Sequence, residues 1–254
     1  MNLMMKKFSG CGLLTLLVFA ALGAAPVTAQ GAILDDASFC MFCRRGTAEE
    51  VRRVLDSGAN ANARCSVIGL TALMQAARKN SNPEVVKVLL ESKADIHARD
   101  EDGGTALMHA ATHNTLEMVK VLLDGGADVS AQDKNGWTVL MHAAALNSNP
   151  EVVKALLKSG ANIHARNKKD GWTALMTAAV LNDNPEVVKV LLENGADARA
   201  VDKEGHNVLW FAQQREKGNK KEIMQILKKY VSPAKPAKTG KPGRKTAGSK
   251  KTKR

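Results

Sequence analysis

The chain repeats itself with a period of 33 to 35 residues, and this period constrains its fold more than any other feature. Near-identical strings of the form Thr-x-Leu-Met begin at Thr71, Thr105, Thr138 and Thr173, and a weaker copy begins at Asn207. A second string, Glu-x-Val-Lys-x-Leu-Leu, keeps the same period from Glu84, Glu117, Glu151 and Glu186. A fixed period of this length is typical of stacked repeat architectures. With one weaker copy at each end, we expect six copies between about Leu34 and Tyr230.

Each copy has the pattern of two short helices. The first helix is predicted to begin after the threonine, whose hydroxyl accepts from free backbone N–H groups at a helix start. Leu73, Ala76 and Ala77 then recur at helical spacing and predict a buried face. The second helix is predicted to begin at Asn-Pro-Glu, as in residues 82–84, because asparagine caps, proline fits the first turn and glutamate favours the positive helix end. Val85, Val88 and Leu89 supply its buried stripe.

Glycines predict the ends of the second helices, because glycine adopts the left-handed backbone conformation at low cost. They are Gly58, Gly126, Gly160 and Gly195. Lys93 occupies the same place in the second copy, where a lysine is expected to cost on the order of 1 kcal/mol. A polar stretch with the pattern Asp-x-x-Gly follows each stop and predicts a tight turn that projects sideways. We call this turn the finger.

These strings resemble the ankyrin repeat family. The resemblance rests on the Thr-x-Leu of each first helix, the Glu-Val-Val-Lys-x-Leu-Leu core and the Gly-Ala-Asp ending, and it covers roughly 195 residues. Where the family usually has Thr-Pro-Leu-His, this chain has alanine or valine for proline and methionine for histidine, which adds a flexible apolar contact. The resemblance implies an all-α ankyrin-repeat solenoid of about six helix-turn-helix repeats with projecting β-turn fingers. The predicted copies span about 34–66, 67–100, 101–133, 134–168, 169–202 and 203–231.

The ankyrin resemblance implies protein binding through the fingers and the first-helix face, and it implies no reaction. We therefore expect a non-enzymatic, monomeric scaffold with no catalytic residue, cofactor or small-molecule substrate. Trp137 and Trp172 share one finger position, where each ring either faces outward to a partner or packs on the next turn. The other candidate partner-binding residues are Gln75, His109, His142 and Thr177, at one position of the first helices, and Arg99 and Arg166 in the fingers.

Two of these residue sets have a second interpretation. Arg99, Arg166 and Arg199 are assigned to one finger position, and a solvated edge explains them as well as a binding site does. His109 and His113 stand four residues apart on one predicted helix, a spacing that two metal ligands can share. We expect no metal there, because no carboxylate offers an obvious third ligand and His142 lies one helix away, about 8–10 Å.

The two ends of the chain differ from the repeats. Lys6 and Lys7 precede an apolar stretch from Cys11 to about Ala25, and the small residues that follow predict a signal peptide over residues 1–29, cleaved near Ala29. A signal peptide implies a periplasmic or secreted protein, and an N-terminal membrane anchor is the alternative. The ankyrin domain is predicted over 30–231, and residues 232–254 read as a disordered tail of proline, glycine, alanine and lysine.

The formal net charge of +12 is concentrated in that tail. Residues 233–254 carry nine lysines and arginines and no acid, so residues 30–232 are left with a net charge near +1. The repeats therefore give no support for a folded nucleic-acid-binding domain, which needs a basic face. A run of cations attracts polyanions. The alternative function is therefore tethering to an anionic polymer, envelope or membrane surface, and a merely solubilising tail is the remaining interpretation.

Three cysteines remain after the predicted cleavage. Cys40 and Cys43 fall in the first helix of the first copy, and Cys65 falls in the finger leading to the second copy. In an oxidising compartment Cys65 could form a disulfide with Cys40 or with Cys43. Buried free thiols explain the same residues. The Cys-x-x-Cys spacing also suggests redox exchange, but no thioredoxin-like strand and helix pattern surrounds it.

Overall fold

Six pairs of helices form two layers in the computed structural model, which describes residues 34–65, 68–113, 115–216 and 218–231. In chain order the pairs are α1 Asp36–Cys43 with α2 Ala48–Asp56, α3 Ala72–Lys79 with α4 Pro83–Glu91, α5 Ala106–His113 with α6 Leu116–Asp124, α7 Val139–Leu146 with α8 Pro150–Lys158, α9 Ala174–Leu181 with α10 Pro185–Glu193, and α11 Val208–Gln213 with α12 Lys220–Val231. Only isolated β-bridges, and no strand, occur within these ranges. The predicted all-α repeat solenoid is confirmed.

The first helices of successive pairs pack on one another and form the inner layer. The second helices pack in the same order and form the outer layer. From α3 onward each helix also packs on the other helix of its own pair, so contacts are confined to the pair and to adjacent repeats, as a one-dimensional stack requires.

The first helices begin where the threonines predict. The hydroxyl oxygen of Thr71 accepts from the backbone N–H of Met74 at 3.2 Å, and Thr105, Thr138 and Thr173 cap their helices in the same way. At the second helices, the side chain of Asn82 accepts from Glu84 N at 3.0 Å and Pro83 is the first helical residue. The same cap recurs before Pro150 and Pro185.

Small residues line the interface between inner helices. Ala76 and Ala77 are fully buried, and so are the alanine pairs that follow one another along the stack: Ala110 and Ala111, Ala143 and Ala144, and Ala178 and Ala179. The four methionines that stand where the family usually has histidine are also buried, at 0 to 2% exposure: Met74, Met108, Met141 and Met176. The core is therefore apolar at the position where an imidazole is usual.

Buried asparagines at the ends of inner helices join neighbouring repeats. The side-chain amide of Asn80 donates to the carbonyls of Cys43 at 2.9 Å and Gly46 at 3.0 Å. Asn147 reaches Ala111 O at 2.9 Å, and Asn182 reaches Ala144 O and Asn147 O. Each bond reaches a carbonyl at or just after the end of the preceding inner helix, where the helical hydrogen bonds stop.

Fingers of adjacent repeats are linked through their backbones. Glu101 N donates to Ile68 O at 3.1 Å, and Lys134 N donates to Asp102 O at 2.9 Å. The next two fingers continue the pattern, with bonds from Lys168 N to Asn135 O at 3.1 Å and from Lys203 N to Asp170 O at 2.9 Å. The fingers therefore form one continuous edge of the array.

Among the described residues, no helix combines the length and apolar character needed to cross a membrane. The predicted signal peptide, its cleavage site near Ala29 and the basic tail from residue 232 onward all lie outside the described residues.

Lys93 has a φ of 66°, while Gly58, Gly126, Gly160 and Gly195 reach 90° to 103° at the same place in their repeats. We expect Lys93→Gly to raise the free energy of unfolding by about 0.5–1 kcal/mol, because the left-handed conformation strains a side chain with a Cβ. Urea denaturation followed by circular dichroism measures this change.

Gly160→Lys is the matched reverse variant, because a Cβ added at Gly160 meets no atom within 4 Å and only the backbone is strained. It should lower stability by a similar amount. Equal stability of the Lys93→Gly variant and the parent chain would contradict the cost assigned to Lys93.

Candidate functional site

An acidic or amide side chain at the first position organises the last four fingers, whereas the first finger has Cys65 there. Asp133 Oδ1 accepts from the backbone N–H groups of Asn135 and Trp137, both at 2.9 Å. Asp100 and Asp202 make the equivalent pairs of bonds. These bonds hold each finger as a fixed turn beside the start of its inner helix.

Two predicted binding residues, His109 and His142, are tied to these aspartates. His109 Nε2 lies 2.8 Å from Asp100 Oδ2, and His142 Nε2 lies 3.1 Å from Asp133 Oδ2. About a fifth to a quarter of each histidine side chain is exposed. Both rings therefore connect the finger to the inner helix and still present an edge to solvent.

Burial lowers the pKa of His142 below its usual range, and the charge of Asp133 and the hydrogen bond to it oppose that shift. Burial also lowers the pKa of His113, and the positive charges of Arg78 and Lys79 lower it further. Both rings are therefore neutral at pH 7.

The two predicted finger tryptophans are half-buried and packed against the core. The Trp137 ring lies 5.4 Å from the ring of His142, at an interplanar angle of 51°. The Trp172 ring meets Phe211 of the following repeat edge to face, at 4.8 Å. Each ring thus packs within the array and keeps only part of its surface for a partner.

Gln75 and Thr177, predicted to contact a partner, are buried. Thr177 is fully buried, and its hydroxyl donates to Ala174 O at 2.8 Å. Gln75 is 7% exposed, and its amide lies 3.7 Å from Cys65 Sγ. These two side chains therefore offer no surface to a partner. At the same helix position, only the longer His109 and His142 remain partly exposed.

Arg99 and Arg166 hold fingers together. Arg99 Nη1 donates to Gly103 O in its own finger at 2.9 Å and to Gln132 O in the next at 2.6 Å. Arg166 bridges Gly171 O and Val201 O in the same manner. Arg64, which the sequence pattern did not single out, makes a third bridge. Their guanidinium groups are therefore engaged in hydrogen bonds that join successive fingers.

The assignment of Arg199 to that position is wrong. Arg99 and Arg166 immediately precede the first finger residue, and Val201 holds this place in the last finger. The backbone N–H of Arg199 donates instead to Asp197 Oδ1 at 2.8 Å, in the turn before the finger. The spacing misled because Arg199 follows Arg166 by 33 residues, whereas this repeat is 35 residues long and places Val201 at the equivalent position.

Two leucines that the sequence pattern did not identify are large apolar residues exposed on adjacent inner helices, α7 and α9. Leu146 is 58% exposed and Leu181 is 44% exposed, at the last position of α7 and α9. Lys79 and His113 stand at the same position of α3 and α5. The change from polar to apolar residues at this one repeat position was the sequence feature that could have identified them.

These leucines extend the surface that begins at the tryptophans. His142 and Leu146 are four residues apart on α7 and share a face, and the His142 ring touches Trp137. Leu181 and Trp172 stand at the equivalent positions of the adjacent repeat. We call Trp137, His142, Leu146, Trp172 and Leu181 the central face.

Exposed lysines at the finger tips flank the central face. Lys134, Lys168 and Lys169 are exposed in the two fingers that carry Trp137 and Trp172, whose acids are Asp133 and Asp170. Three lysines thus stand against two acids within residues 133–137 and 167–172, and the exposed acids Glu101, Asp102 and Glu204 belong to the fingers on either side.

A further group lies in the last finger, where one potential ligand atom from each of Asp202, Glu204 and His206 lies within 4.8 Å of the others. The carboxylate of Asp202 already accepts from the backbone and from His206 Nδ1 at 3.3 Å, so the turn itself explains the cluster. His206 also stacks on Trp210 at 3.8 Å. His109 is held by Asp100, apart from this group.

Two shallow depressions, of about 90 and 140 Å³, lie near the last two fingers. Small-molecule pockets typically measure roughly 300–1,000 Å³. Neither depression has the size of such a pocket.

Comparison with known families gives the class of this stack of helix pairs. A family model described as ankyrin repeats (3 copies) matches residues 17–100, 80–167 and 144–237. The chain belongs to the ankyrin repeat family. Ankyrin repeats are generally modules for protein–protein interaction, and the family is generally non-enzymatic. Among curated proteins, none matches the chain.

The bridge between fingers can be tested with two arginines of the same array. We expect Arg99→Ala to lower the free energy of unfolding by about 1 kcal/mol, because two hydrogen bonds to backbone carbonyls are lost. Arg199→Ala is the matched control and should change it by less than about 0.5 kcal/mol. Chemical denaturation of both variants measures the difference, and equal effects would refute the bridging role of Arg99.

Proposed function

We propose that this chain is a non-enzymatic scaffold whose central face binds a protein partner. The partner presents apolar side chains flanked by carboxylates. The observation that carries the proposal is the pair of exposed leucines, Leu146 and Leu181, at equivalent positions of adjacent inner helices. The general role of ankyrin repeats in protein interaction supports the same conclusion.

The composition of the central face suits an interface core. Tryptophans are enriched among residues that dominate binding energy, and adjacent exposed leucines provide apolar area that water disfavours. The rings of Trp137 and Trp172 are held by their packing against His142 and Phe211. Ordering these side chains on binding therefore costs little free energy.

The finger lysines add a preference for acidic partners. Lys134, Lys168 and Lys169 lie at exposed tips beside the central face. Charges at the rim of an interface mainly raise the association rate and exclude partners of the same sign. Carboxylates around an apolar segment therefore match this surface better than a basic segment does.

A photoreactive residue placed at Leu146 or at Leu181, in cells that make the protein, tests the site. We expect both positions to capture the same protein. The same probe at Lys120, exposed on the outer helix α6, is the control and should not capture it. Equal capture at Lys120, or no capture at either leucine, would contradict the proposal.

The captured protein then serves for affinity measurements with purified components. Leu146→Ser combined with Leu181→Ser should weaken binding at least tenfold, because buried apolar area is lost at the centre of the contact. Both side chains are largely exposed in the free chain, so the variant should keep its helix content. An unchanged affinity in a folded variant contradicts a central role for the two leucines.

We also propose that the partner is met outside the cytoplasm, after removal of residues 1–29. The support is the sequence of those residues: two lysines, an apolar stretch and small residues before Gln30. Mass spectrometry of the protein recovered from its native compartment should find Gln30 as the first residue. Recovery of the intact N-terminus would favour the alternative of a membrane anchor.

A second candidate function belongs to the tail. Nine cations without an acid in residues 233–254 favour binding to an anionic surface, with the repeats as a spacer or adaptor. The near-neutral charge of residues 30–232 means that the repeats add little to such attraction.

Removal of residues 233–254 separates the two functions. The full chain should sediment with vesicles that contain anionic phospholipid, and added salt should release it because counterions compete for the surface. The truncated chain should stay in solution and still bind the protein captured at Leu146. Equal sedimentation of both chains would exclude the tail as the tether.

A further inference from the structure

A cluster of thiols lies where the first repeat meets the next finger. Cys40 on α1 is fully buried, and its Sγ donates to Ala63 O at 3.3 Å. Ala63 and Cys65 lie two residues apart beside the bridge between Arg64 and Thr71. Alternate residues of an extended segment share a face, so Cys65 points to the same side as the buried Ala63. That side faces α1, where the Cys40 thiol is held at Ala63 O, and the two thiols are close enough for each to shift the pKa of the other.

The third cysteine is placed differently. Cys43 is fully buried one helical turn after Cys40, and its carbonyl accepts from Asn80. Burial raises the pKa of the Cys43 thiol to about 12. The pKa of Cys40 is raised as well, so neither thiol starts an exchange at neutral pH, and Cys40 differs from Cys43 in that its sulfur lies against Ala63 O.

Cys65 has the opposite character. It is only partly buried, and its Sγ is 3.7 Å from the amide of Gln75. The Cys65 Sγ donates to Leu70 O at 3.2 Å. Interaction with the Cys40 thiol lowers the pKa of Cys65, and the Gln75 amide acts in the same direction. The same interaction raises the pKa of Cys40. Cys65 is thus the first thiol of the three to ionise and the one that solvent reaches.

We infer that Cys40 and Cys65 form a disulfide that fastens the first repeat to the finger of the second. The oxidant is a small disulfide such as oxidised glutathione. The Cys65 thiolate attacks one sulfur of that disulfide and expels a thiolate, which leaves a mixed disulfide on Cys65. Cys40 Sγ then attacks the Cys65 sulfur, its proton passes to the second departing thiolate, and two thiols are released for each bond formed.

The bond closes a ring from residue 40 to residue 65 that contains the whole of α2. Among the described residues, the first repeat contacts a neighbouring repeat on one side only, and a repeat with one neighbour separates more readily than one with two. Linking its inner helix to the next finger removes the open states in which α1 and α2 detach together. The disulfide therefore secures the end of the array that follows residue 34.

Incubation of the reduced full chain with oxidised glutathione tests this inference. The thiols are then alkylated, and the peptides are mapped by mass spectrometry without reduction. We expect a peptide that links Cys40 to Cys65, and Cys43 alkylated only after unfolding. The oxidised chain should melt on the order of 5 °C above the reduced one.

Two variants make the assignment specific. Cys43→Ala should keep the cross-linked peptide, while Cys40→Ala should leave Cys65 as a lasting glutathione adduct. Mapping of the unaltered chain does not depend on the folding of either variant. Three outcomes in that chain would overturn the inference: a link that contains Cys43, a persistent adduct on Cys65, or three free thiols after oxidation.

Discussion

Close contact between alanine-lined inner helices is the interaction on which the rest of this structure depends. Side chains no larger than a methyl group at Ala76, Ala77 and their counterparts let successive helices approach at the short distance that the period of the array requires. The amides of Asn80, Asn147 and Asn182 reach across the same contact to the preceding helix ends. A larger residue at an alanine position would separate these hydrogen-bonding groups as well as the helices.

That stacking also determines what the surface offers. Since every inner helix has its neighbours at fixed positions, residues at one repeat position form a row along the array. The row that contains Lys79, His113, Leu146 and Leu181 changes from polar to apolar along its length. An apolar site thus arises in the middle of a polar surface without any change in the fold.

Local chemistry made most of the fold predictable. Threonine and asparagine caps, proline at the helix start and glycine after the helix end each act within one turn, and Lys93 could be identified as strained for the same reason. The candidate site was less accessible. Thr177 and Gln75 are buried. Arg199 does not occupy the position of Arg99 and Arg166, because its repeat is longer than the spacing suggested. Such outcomes depend on contacts about 33 residues away in sequence, which helix periodicity does not report.

The arginine bridges are distributed unevenly along the fingers. Arg64, Arg99 and Arg166 each join two fingers, but the shorter, uncharged Gln132 stands at this place before the finger of residues 133–137. The joint between this finger and that of residues 167–172 therefore relies on the backbone bond from Lys168 to Asn135 without a guanidinium bridge of this kind. Trp137 and Trp172 lie on either side of that joint. The finger edge therefore has one kind of hydrogen-bond restraint fewer at this joint, while Asn182 still ties the inner helices α7 and α9 together.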